Sequence, residues 1–349
     1  MDLIKFMLNR SDKIKIVFIS QITQPIQEHL VSNLKEFKNL ELVFPTDTSN
    51  NNILSLVQDA SALIGWHPTQ EILENALKLK MFINPGAGVT HLIDLFKEVN
   101  QQRKIILING HGNSYFVAQH AVALLLTFMN KTILHHQWME QGKWRTGDKE
   151  AASIPLRFRK VGLLGYGAIN KKIHKMLQGF NIEFSILRKH WDKQEEQLIT
   201  AAKKFHQNQI NEFCEEIDIL IIAIPHTSTT KDLIGKKQLN LLGKKGIIIN
   251  VGRGEIINEL ALYNALRDKT INGAAIDVWY KYSPDEDPFG KKYPYNYPFH
   301  ELDNIILSPH RGYSPFSDLL RWDEVVENLS RLSEQKHQFI NQVNLTEEY

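Results

Sequence analysis

The sequence predicts an α/β protein made of two doubly wound parallel sheets, and three observations lead to this prediction. Short apolar runs alternate with amphipathic stretches over residues 14–109, and the alternation resumes at Lys160. The second series of runs is almost continuous in Ile, Val and Leu, which is typical of strands buried on both faces. The chain has 349 residues, which is enough for two domains of ordinary size.

The first half of the chain predicts one parallel sheet. Helix-like segments such as QEHLVSNLKEF separate the strands, and this succession at short spacing indicates parallel strands covered by helices. A long helical pattern at 116–144 follows and exceeds the length of a simple crossover. The strand-like runs are residues 14–19, 40–44, 61–66, 81–85 and 104–109.

The second half predicts a second sheet and a C-terminal helix. Its strand-like runs include KVGLL, IEFSIL, DILIIAI, GIIINV, GAAIDV and NIILS, and a helical pattern runs from Pro315 to about Phe339. Between the last two strands, residues 280–304 are dense in Tyr and Pro, which predicts an ordered loop. A lid and a surface feature are both compatible with this loop.

Composition excludes several classes of function. Lys and Arg number 41 against 39 Asp and Glu, which argues against a nucleic-acid binder that works by bulk charge. A single cysteine, Cys214, excludes an internal disulfide framework and indicates a reducing compartment. The longest apolar run, residues 121–129, is too short to span a bilayer, so a cytoplasmic location is predicted. No Cys/His spacing predicts a metal site.

The stretch KVGLLGYGAIN at 160–170 resembles a G-x-G-x-x-G turn, with Asn170 at the third glycine position. It follows a strand and opens a helix, which is the context that such a turn requires. The first glycine makes the tight turn, and the second lets a pyrophosphate approach the helix N-terminus. A dinucleotide site is therefore predicted, and an ordinary glycine-rich turn is the alternative. Asn170 is expected to loosen or shift the helix without removing phosphate contacts. The predicted cofactor-binding residues here are Gly165, Tyr166, Gly167, Ala168 and Ile169.

Four further segments occur in a fixed order along the chain. They are NPGAGVTHLID (84–94), PHTSTTKDLIG (225–235), INVGRGEIINELALYNAL (249–266) with GAAIDVW (273–279), and SPHRGYS (308–314). With the glycine turn they resemble the D-isomer-specific 2-hydroxyacid dehydrogenases. That family includes glyoxylate and hydroxypyruvate reductases, D-lactate and phosphoglycerate dehydrogenases, and formate dehydrogenase. The resemblance is dense from about Asn84 to Gly312.

The resemblance implies two Rossmann-like or flavodoxin-like domains with the active site in the cleft between them. Residues 1–117, completed by a C-terminal helix in 312–349, would form the substrate domain. Residues 118–311 would form the NAD(P)-binding Rossmann domain. Members of the family are usually dimers joined through the cofactor domain, so a homodimer is expected.

The resemblance also implies roles for particular residues. Reduction of a 2-keto acid needs a hydride, a proton for the carbonyl oxygen, and a group that binds the carboxylate. Arg253 matches the family's catalytic arginine, whose fork suits a carboxylate, and His310 matches its acid/base. The backbone amides of Ala87, Gly88 and Val89 resemble a second carboxylate clamp. Asp277 resembles the residue that holds the nicotinamide carboxamide, and Thr227, Val251 and Gly252 resemble positions lining the cofactor.

The residue after the second cofactor strand departs from the NAD-using pattern. NAD-using relatives carry an acid there, which binds the ribose 2′-OH, whereas this chain carries Arg188 followed by Lys189. An arginine can bind a 2′-phosphate, so NADP(H) is favoured over NAD(H). The alternative is that both residues are surface charges.

A second departure lies five residues beyond Asp277. The family typically has an acid there, hydrogen-bonded to the catalytic histidine, whereas this chain has Tyr282. Formate dehydrogenases also lack this acid. Asp285, Glu286 or Asp287 is the alternative source of a shifted carboxylate.

The predicted function is therefore that of an NAD(P)-dependent D-2-hydroxyacid dehydrogenase acting as a 2-keto acid reductase, such as a glyoxylate or hydroxypyruvate reductase. Two alternatives stay open. One is a cofactor-binding protein with little or no catalysis, because a fold does not guarantee a function. The other is a formate-dehydrogenase-like enzyme.

Overall fold

Two parallel sheets, one in each of two units, organise the chain. The computed structural model describes residues 13–145, 152–191, 197–313 and 318–349. One unit comprises Met1–Asn113 with Ser314–Tyr349, and the other comprises Ser114–Tyr313.

The first unit contains a five-stranded parallel sheet in the order β2-β1-β3-β4-β5. Alternate strand residues point to opposite faces, so Phe82 joins one apolar cluster while Met81 and Ile83 join the other. The strands are β1 (Ile14–Phe18), β2 (Leu40–Val43), β3 (Ala62–Ile64), β4 (Met81–Asn84) and β5 (Ile106–Asn109), with helices α1 (Gln24–Leu34), α2 (Asn50–Val57), α3 (Gln70–Asn75) and α4 (Thr90–Val99) between them.

The second unit contains a seven-stranded parallel sheet in the order β12-β11-β10-β9-β6-β7-β8. The strand order reverses between β6 and β9, and ligands of open α/β sheets bind outside such a switch point. The strands are β6 (Lys160–Leu164), β7 (Glu183–Arg188), β8 (Ala202–His206), β9 (Ile219–Ile222), β10 (Ile247–Asn250), β11 (Gly273–Ile276) and β12 (Ile305–Leu307). The sequence pattern did not predict β8, an edge strand whose exposed Lys203 and Lys204 are typical of protected sheet edges.

The helical pattern at 116–144 is two helices, not one long helix. Lys131 has a left-handed backbone (φ 52°) between them, and their axes differ by 60°. Within the described residues no single helix has the length and apolar character needed to cross a membrane; this bent pair meets both criteria only when taken together. The helices of this unit are α5 (Ser114–Met129), α6 (Thr132–Glu140), α7 (Ala168–Leu177), α8 (Ile210–Glu216), α9 (Lys236–Leu242) and α10 (Glu259–Arg267).

The Tyr/Pro-rich segment forms an ordered loop, as predicted. The amides of Tyr280 and Lys281 both donate to the carbonyl of Pro294 and close the loop on itself. Tyr295 and Phe299 are buried in the same apolar cluster as Trp279. The aromatic half of this segment is therefore part of the core, whereas its other half carries a mostly exposed hairpin between Glu286 and Lys292.

The C-terminal helix is shorter than its pattern predicts. It is α11 (Asp323–Ser333), preceded by a 3-10 turn at Leu320–Trp322, and residues 314–317 lie outside the described residues. Trp322, Val325 and Leu329 pack into the apolar cluster on one face of the five-stranded sheet. The chain beyond the helix pairs antiparallel with β5 at Gln342 and covers that edge.

Candidate active site

The predicted functional residues of the second unit gather at one edge of its sheet. Every strand of this sheet is parallel to its neighbours, so the residues that follow the strand ends share the same edge. These residues are Gly165 after β6, Arg188 at the end of β7, Thr227 after β9, Arg253 after β10, Asp277 after β11 and His310 after β12.

Gly165 makes the turn that leaves β6. Its φ of +83° lies in the left-handed region, and its amide donates to the carbonyl of Leu187 at 2.8 Å. A Cβ at this position would come within 2.4 Å of Cγ2 of Ile224. Conformation and space both require glycine here.

Gly167 is free of such protein constraints. A Cβ here would meet no atom within 4 Å, and its φ of −93° suits any residue. Helix α7 begins at the next residue, and no side chain caps its N-terminus. Open space beside uncapped amides is what an approaching phosphate needs, so the turn fits the pyrophosphate of a dinucleotide. The binding role of residues 165–169 stays a prediction.

Asn170 does not loosen the helix, contrary to the expectation from the sequence. Its side chain is fully buried, and Nδ2 donates to the carbonyl oxygens of Leu164 at 3.0 Å and Gly165 at 2.7 Å. These bonds tie the first turn of α7 to the end of β6. A side-chain amide thus fastens the helix to the strand, a task that glycine at this position serves by close packing.

A buried histidine extends from this turn, and sequence reasoning missed it. The hydroxyl of Tyr166 is 2.8 Å from Nδ1 of His174, whose Nε2 is 2.7 Å from Oγ1 of Thr200. His174 is fully buried, and burial lowers its pKa to about 4. A neutral imidazole therefore holds Tyr166 in place at neutral pH.

Arg188 and Lys189 lie where a 2′-phosphate selector is predicted. The guanidinium of Arg188 is 5.3 Å from the ring centroid of Trp191, and Nζ of Lys204 is 5.0 Å from the same ring. The indole N–H of Trp191 donates to the carbonyl of Phe205 and fixes the ring. Lys189 is exposed. Arg188 and Lys204 thus lie near one aromatic ring, Trp191, which the sequence analysis did not single out.

The residues predicted to line the cofactor lie in tightly bonded turns. The buried hydroxyl of Thr227 is 3.1 Å from those of Thr229 and Thr230. Val251 is buried, and the amide of Gly252 donates to Oδ1 of Asn250. A Cβ on Gly252 would lie 2.8 Å from the carbonyl oxygen of Ile224. Hydrogen bonds and close packing hold these turns, and their contact with a cofactor stays a prediction.

Arg253 is held by its backbone. Asn250 donates from Nδ2 to the carbonyl oxygen of Arg253 at 2.9 Å. The next residue, Gly254, lies so close to the backbone of Trp279 that a Cβ would come within 2.5 Å of it. The guanidinium is partly exposed and bonds the carbonyl of Gly252. A fixed backbone with a partly exposed fork suits a group that binds an anion.

His310 and Tyr282 are neighbours. Their ring centroids are 5.4 Å apart and their planes meet at 75°. Burial lowers the pKa of His310, the charge of Arg253 lowers it further, and the Asp277 carboxylate partly opposes both. Nδ1 of His310 has no hydrogen-bond partner within the described part of the chain. The structure thus brings Arg253, His310 and Tyr282 together, and their catalytic roles stay predictions.

Two of the three carboxylates considered as substitutes bond within a hairpin. Glu286 pairs with Lys292 at 3.0 Å across a small exposed hairpin. Oδ1 of Asp287 accepts the amides of Phe289 and Lys291 inside the same hairpin. Asp285 is exposed. The carboxylate whose charge acts on His310 is that of Asp277.

Asp277 is engaged by the loop that carries His310. Oδ1 accepts from Oγ of Ser308 at 2.5 Å and from the amide of Arg311 at 2.7 Å, and Oδ2 accepts from the amide of Gly312 at 2.9 Å. Burial raises the pKa of this carboxyl, but hydrogen bonds from His120 and from these donors outweigh that effect and hold the pKa below its usual value. The structure gives Asp277 a role in the loop, while its predicted bond to the nicotinamide stays a prediction.

In the first unit, Ala87, Gly88 and Val89 lie between β4 and α4. Asn84 donates to the carbonyls of Gly86 and Gly88, and Asn109 donates to the carbonyl of Ala87. Among the described residues, no hydrogen bond has the amide of Ala87, Gly88 or Val89 as its donor. Fixed carbonyls and available amides are the arrangement of an anion nest. Asn84 and Asn109, which the sequence analysis did not single out, hold this loop.

Comparison with known proteins agrees with this arrangement. The family model of the D-isomer specific 2-hydroxyacid dehydrogenase NAD binding domain matches residues 122–312. The chain is 29% identical to a D-3-phosphoglycerate dehydrogenase of Methanocaldococcus jannaschii over 84% of its own length, but spans only 53% of that protein. It is 28% identical to a glyoxylate reductase of Pyrococcus furiosus, covering 84% of this chain and 86% of that one.

Solved structures share the fold. An NADPH-dependent glyoxylate/hydroxypyruvate reductase of Sinorhizobium meliloti matches with a TM-score of 0.69 and 24% identity, over 96% of this chain and 99% of that chain. A D-isomer specific 2-hydroxyacid dehydrogenase of Xanthobacter autotrophicus in complex with NADPH and MES matches with a TM-score of 0.74 and 21% identity, over 97% and 100%. The predicted α/β fold class is confirmed, and the chain belongs to the family of D-isomer specific 2-hydroxyacid dehydrogenases.

Proposed function

We propose that this protein is an NAD(P)-dependent oxidoreductase that reduces small 2-keto acids to D-2-hydroxy acids, with glyoxylate and hydroxypyruvate as the first candidates. The observation that carries the proposal is the placement of Arg253 after β10 and of His310 after β12, at the edge of the sheet that also carries the glycine turn. The family assignment of residues 122–312 and the glyoxylate reductase relatives support it.

Each protein group has one task in this proposal. Arg253 binds the substrate carboxylate and polarises the neighbouring carbonyl. His310 donates a proton to the carbonyl oxygen as that oxygen gains charge. The amides of Ala87, Gly88 and Val89 offer a further carboxylate site on the first unit.

The cofactor belongs to the second unit, residues 118–311 in the sequence-based division. When bound, a reduced nicotinamide supplies the hydride for C2 of the keto acid. Residues 165–169 would hold the pyrophosphate. Arg188 and Lys189 would hold a ribose 2′-phosphate, which favours NADP(H). Three of the related structures contain NADPH or NADP, and that observation supports the same choice. The substrate-binding role of residues 1–117 and 312–349 and the cytoplasmic location stay predictions.

We also propose a homodimer formed through the second unit. No residue of α6 is buried, and large apolar side chains are exposed on it and near it. Ile133 is 45% exposed, Met139 54% and Trp144 72%. Such a surface is typical of an interaction site. Sedimentation velocity tests the proposal. We expect the parent to sediment as a dimer and Met139→Glu to sediment as a monomer. A monomeric parent would refute the proposal.

A panel of substrates tests the main proposal. Glyoxylate, hydroxypyruvate, pyruvate and phenylpyruvate are offered with NADPH and with NADH, and nicotinamide absorbance is followed. We expect oxidation of the cofactor with at least one keto acid, and we expect Arg253→Gln to abolish it. Cofactor binding by calorimetry without any turnover would favour a binding protein. Reduction of NAD(P)⁺ by formate alone would favour the formate-dehydrogenase-like alternative.

A further inference from the structure

His120 lies in α5 and contacts the residues that hold the loop of His310. Its Nε2 is 2.9 Å from Oγ of Ser308 and 3.3 Å from Oδ1 of Asp277. Ser308 and Asp277 are both buried, and about a quarter of the His120 side chain is exposed. Neither the glycine turn nor the substrate-binding groups account for this histidine.

Ser308 and Asp277 anchor residues 308–312, which we name the histidine loop. Three hydrogen bonds fix the Ser308 end: its amide donates to the carbonyl of Ile276, its hydroxyl donates to Asp277, and its carbonyl accepts the indole N–H of Trp279 at 2.8 Å. The other end is fixed by the amides of Arg311 and Gly312, which donate to the same carboxylate. One buried carboxylate therefore holds both ends of a five-residue segment.

His310 lies between those two anchors in an unfavourable conformation. Its φ of +56° is left-handed, a backbone conformation that is unfavourable for a residue other than glycine. No hydrogen bond at Nδ1 fixes the orientation of the ring, because Nδ1 has no hydrogen-bond partner among the described residues. The anchors must therefore maintain the backbone that aims the imidazole.

The hydrogen-bond donors available in this group show that His120 acts as a donor. The single hydroxyl hydrogen of Ser308 is used on Asp277. Its oxygen can then only accept from the ring of His120, and the carboxylate also accepts only. Nε2 of His120 therefore carries a hydrogen and donates to this pair. Loss of that donor would leave a buried carboxylate with one fewer partner, which is costly in an apolar setting.

We propose that His120 is a positioning residue for His310, acting through the Ser308–Asp277 anchor of the histidine loop. This inference rests on the proposed function for its kinetic readout. It does not require His120 to touch substrate or cofactor.

The kinetic test compares His120→Leu, His120→Gln and the matched control His337→Leu, an exposed histidine outside this unit. Active-site concentrations are normalised by calorimetric titration with NADPH. We expect His120→Leu to lower kcat roughly tenfold, the effect of about one charge-assisted hydrogen bond, with KM and cofactor Kd within about twofold. His120→Gln keeps an N–H donor and should recover most of kcat. A lower Tm with unchanged normalised kcat would overturn the proposal.

A spectroscopic readout tests the inference without turnover. Ring-¹³C histidine NMR follows the His310 resonance, assigned by its disappearance in His310→Ala. Burial and the charges of Asp277 and Arg253 set its titration, so a displaced ring should show a shifted or broadened titration. We expect this change in His120→Leu and its reversal in His120→Gln. An unchanged His310 resonance in His120→Leu refutes the inference, whereas an inactive parent with a shifted resonance refutes only the proposed reaction.

Discussion

The ring of Tyr282 lies edge-on to the ring of His310, with the two centroids 5.4 Å apart. Partial burial raises the pKa of the Tyr282 phenol, so it stays neutral and adds no negative charge. The pKa of His310 is lowered mainly by burial. The imidazole is therefore expected to be largely neutral at neutral pH.

This relationship predicts an acid-shifted pH profile. A proton donor must be protonated, so keto-acid reduction should rise as pH falls toward the lowered pKa of His310. Tyr282→Glu should move the profile to higher pH, because a carboxylate stabilises the imidazolium. The measurement is kcat/KM against pH at saturating cofactor.

Two controls separate this explanation from a shifted carboxylate. Tyr282→Phe should keep the parent profile, because the phenol contributes no charge. Asp287→Asn should keep it as well, because Asp287 bonds the hairpin amides. Loss of the alkaline part of the profile in Asp287→Asn alone would assign the acid's task to that residue.

His310→Ala should remove most of the reductase activity. The loss expected from a missing general acid is about 10²–10⁴-fold in kcat. Cofactor affinity, measured by quenching of NADPH fluorescence, should change little, and the melting temperature should stay near that of the parent. Activity within tenfold of the parent would mean that another group delivers the proton.

Substitutions of the two glycines in the turn should have different effects, one on stability and the other on dinucleotide binding. Gly165→Ala should lower the free energy of unfolding by about 1–3 kcal/mol, because alanine is strained at positive φ and collides with Ile224. Gly167→Val should leave stability within about 0.5 kcal/mol but weaken dinucleotide binding severely, because the side chain fills the space left for a phosphate. Gly179→Val, at another glycine with open space around its Cβ, is the control. Unchanged NADPH affinity in Gly167→Val would exclude the predicted site.

Arg188 should select the cofactor. We expect tighter binding of NADPH than of NADH by roughly tenfold or more, the value of one charge-assisted contact to the 2′-phosphate. Arg188→Asp should reverse this order by repelling that phosphate. Lys244→Asp makes the same charge change at an exposed position of this unit and should preserve the order. Equal affinities in the parent protein would show that the basic pair does not reach the phosphate.

His174 should make the protein less stable in mild acid. In the unfolded chain this histidine has its ordinary pKa of about 6.5, whereas burial lowers the native pKa to about 4. The unfolded state therefore binds more protons between these values, and stability falls as pH decreases through that window. We expect about 2 kcal/mol less unfolding free energy from this group at pH 5 than at pH 7.5. Urea titrations of the parent, His174→Gln and the exposed control His337→Gln measure it; an equal pH dependence in His174→Gln would contradict the assignment.

Much of this architecture was predictable from the sequence. Continuous Ile, Val and Leu runs are read correctly because a strand between two helical layers must be apolar on both faces. The edge strand β8 escaped prediction because solvent reaches one of its sides and the pattern breaks at Lys203 and Lys204. The break between α5 and α6 was not predicted either, because the residue with left-handed backbone at the break is Lys131, and neither Gly nor Pro indicates a break there.

The sequence by itself determined the sheets, the order of the strand-end motifs and the presence of Arg253, His310 and the glycine turn. These features are encoded locally, since a strand end and the residues after it are contiguous in the chain. Only the tertiary structure decided that Asn170 fastens α7, that Asp277 anchors the histidine loop and that His120 completes that anchor. His120 and Ser308 are 188 positions apart. No local pattern encodes their contact, because it exists only after α5 and β12 have packed in the same unit.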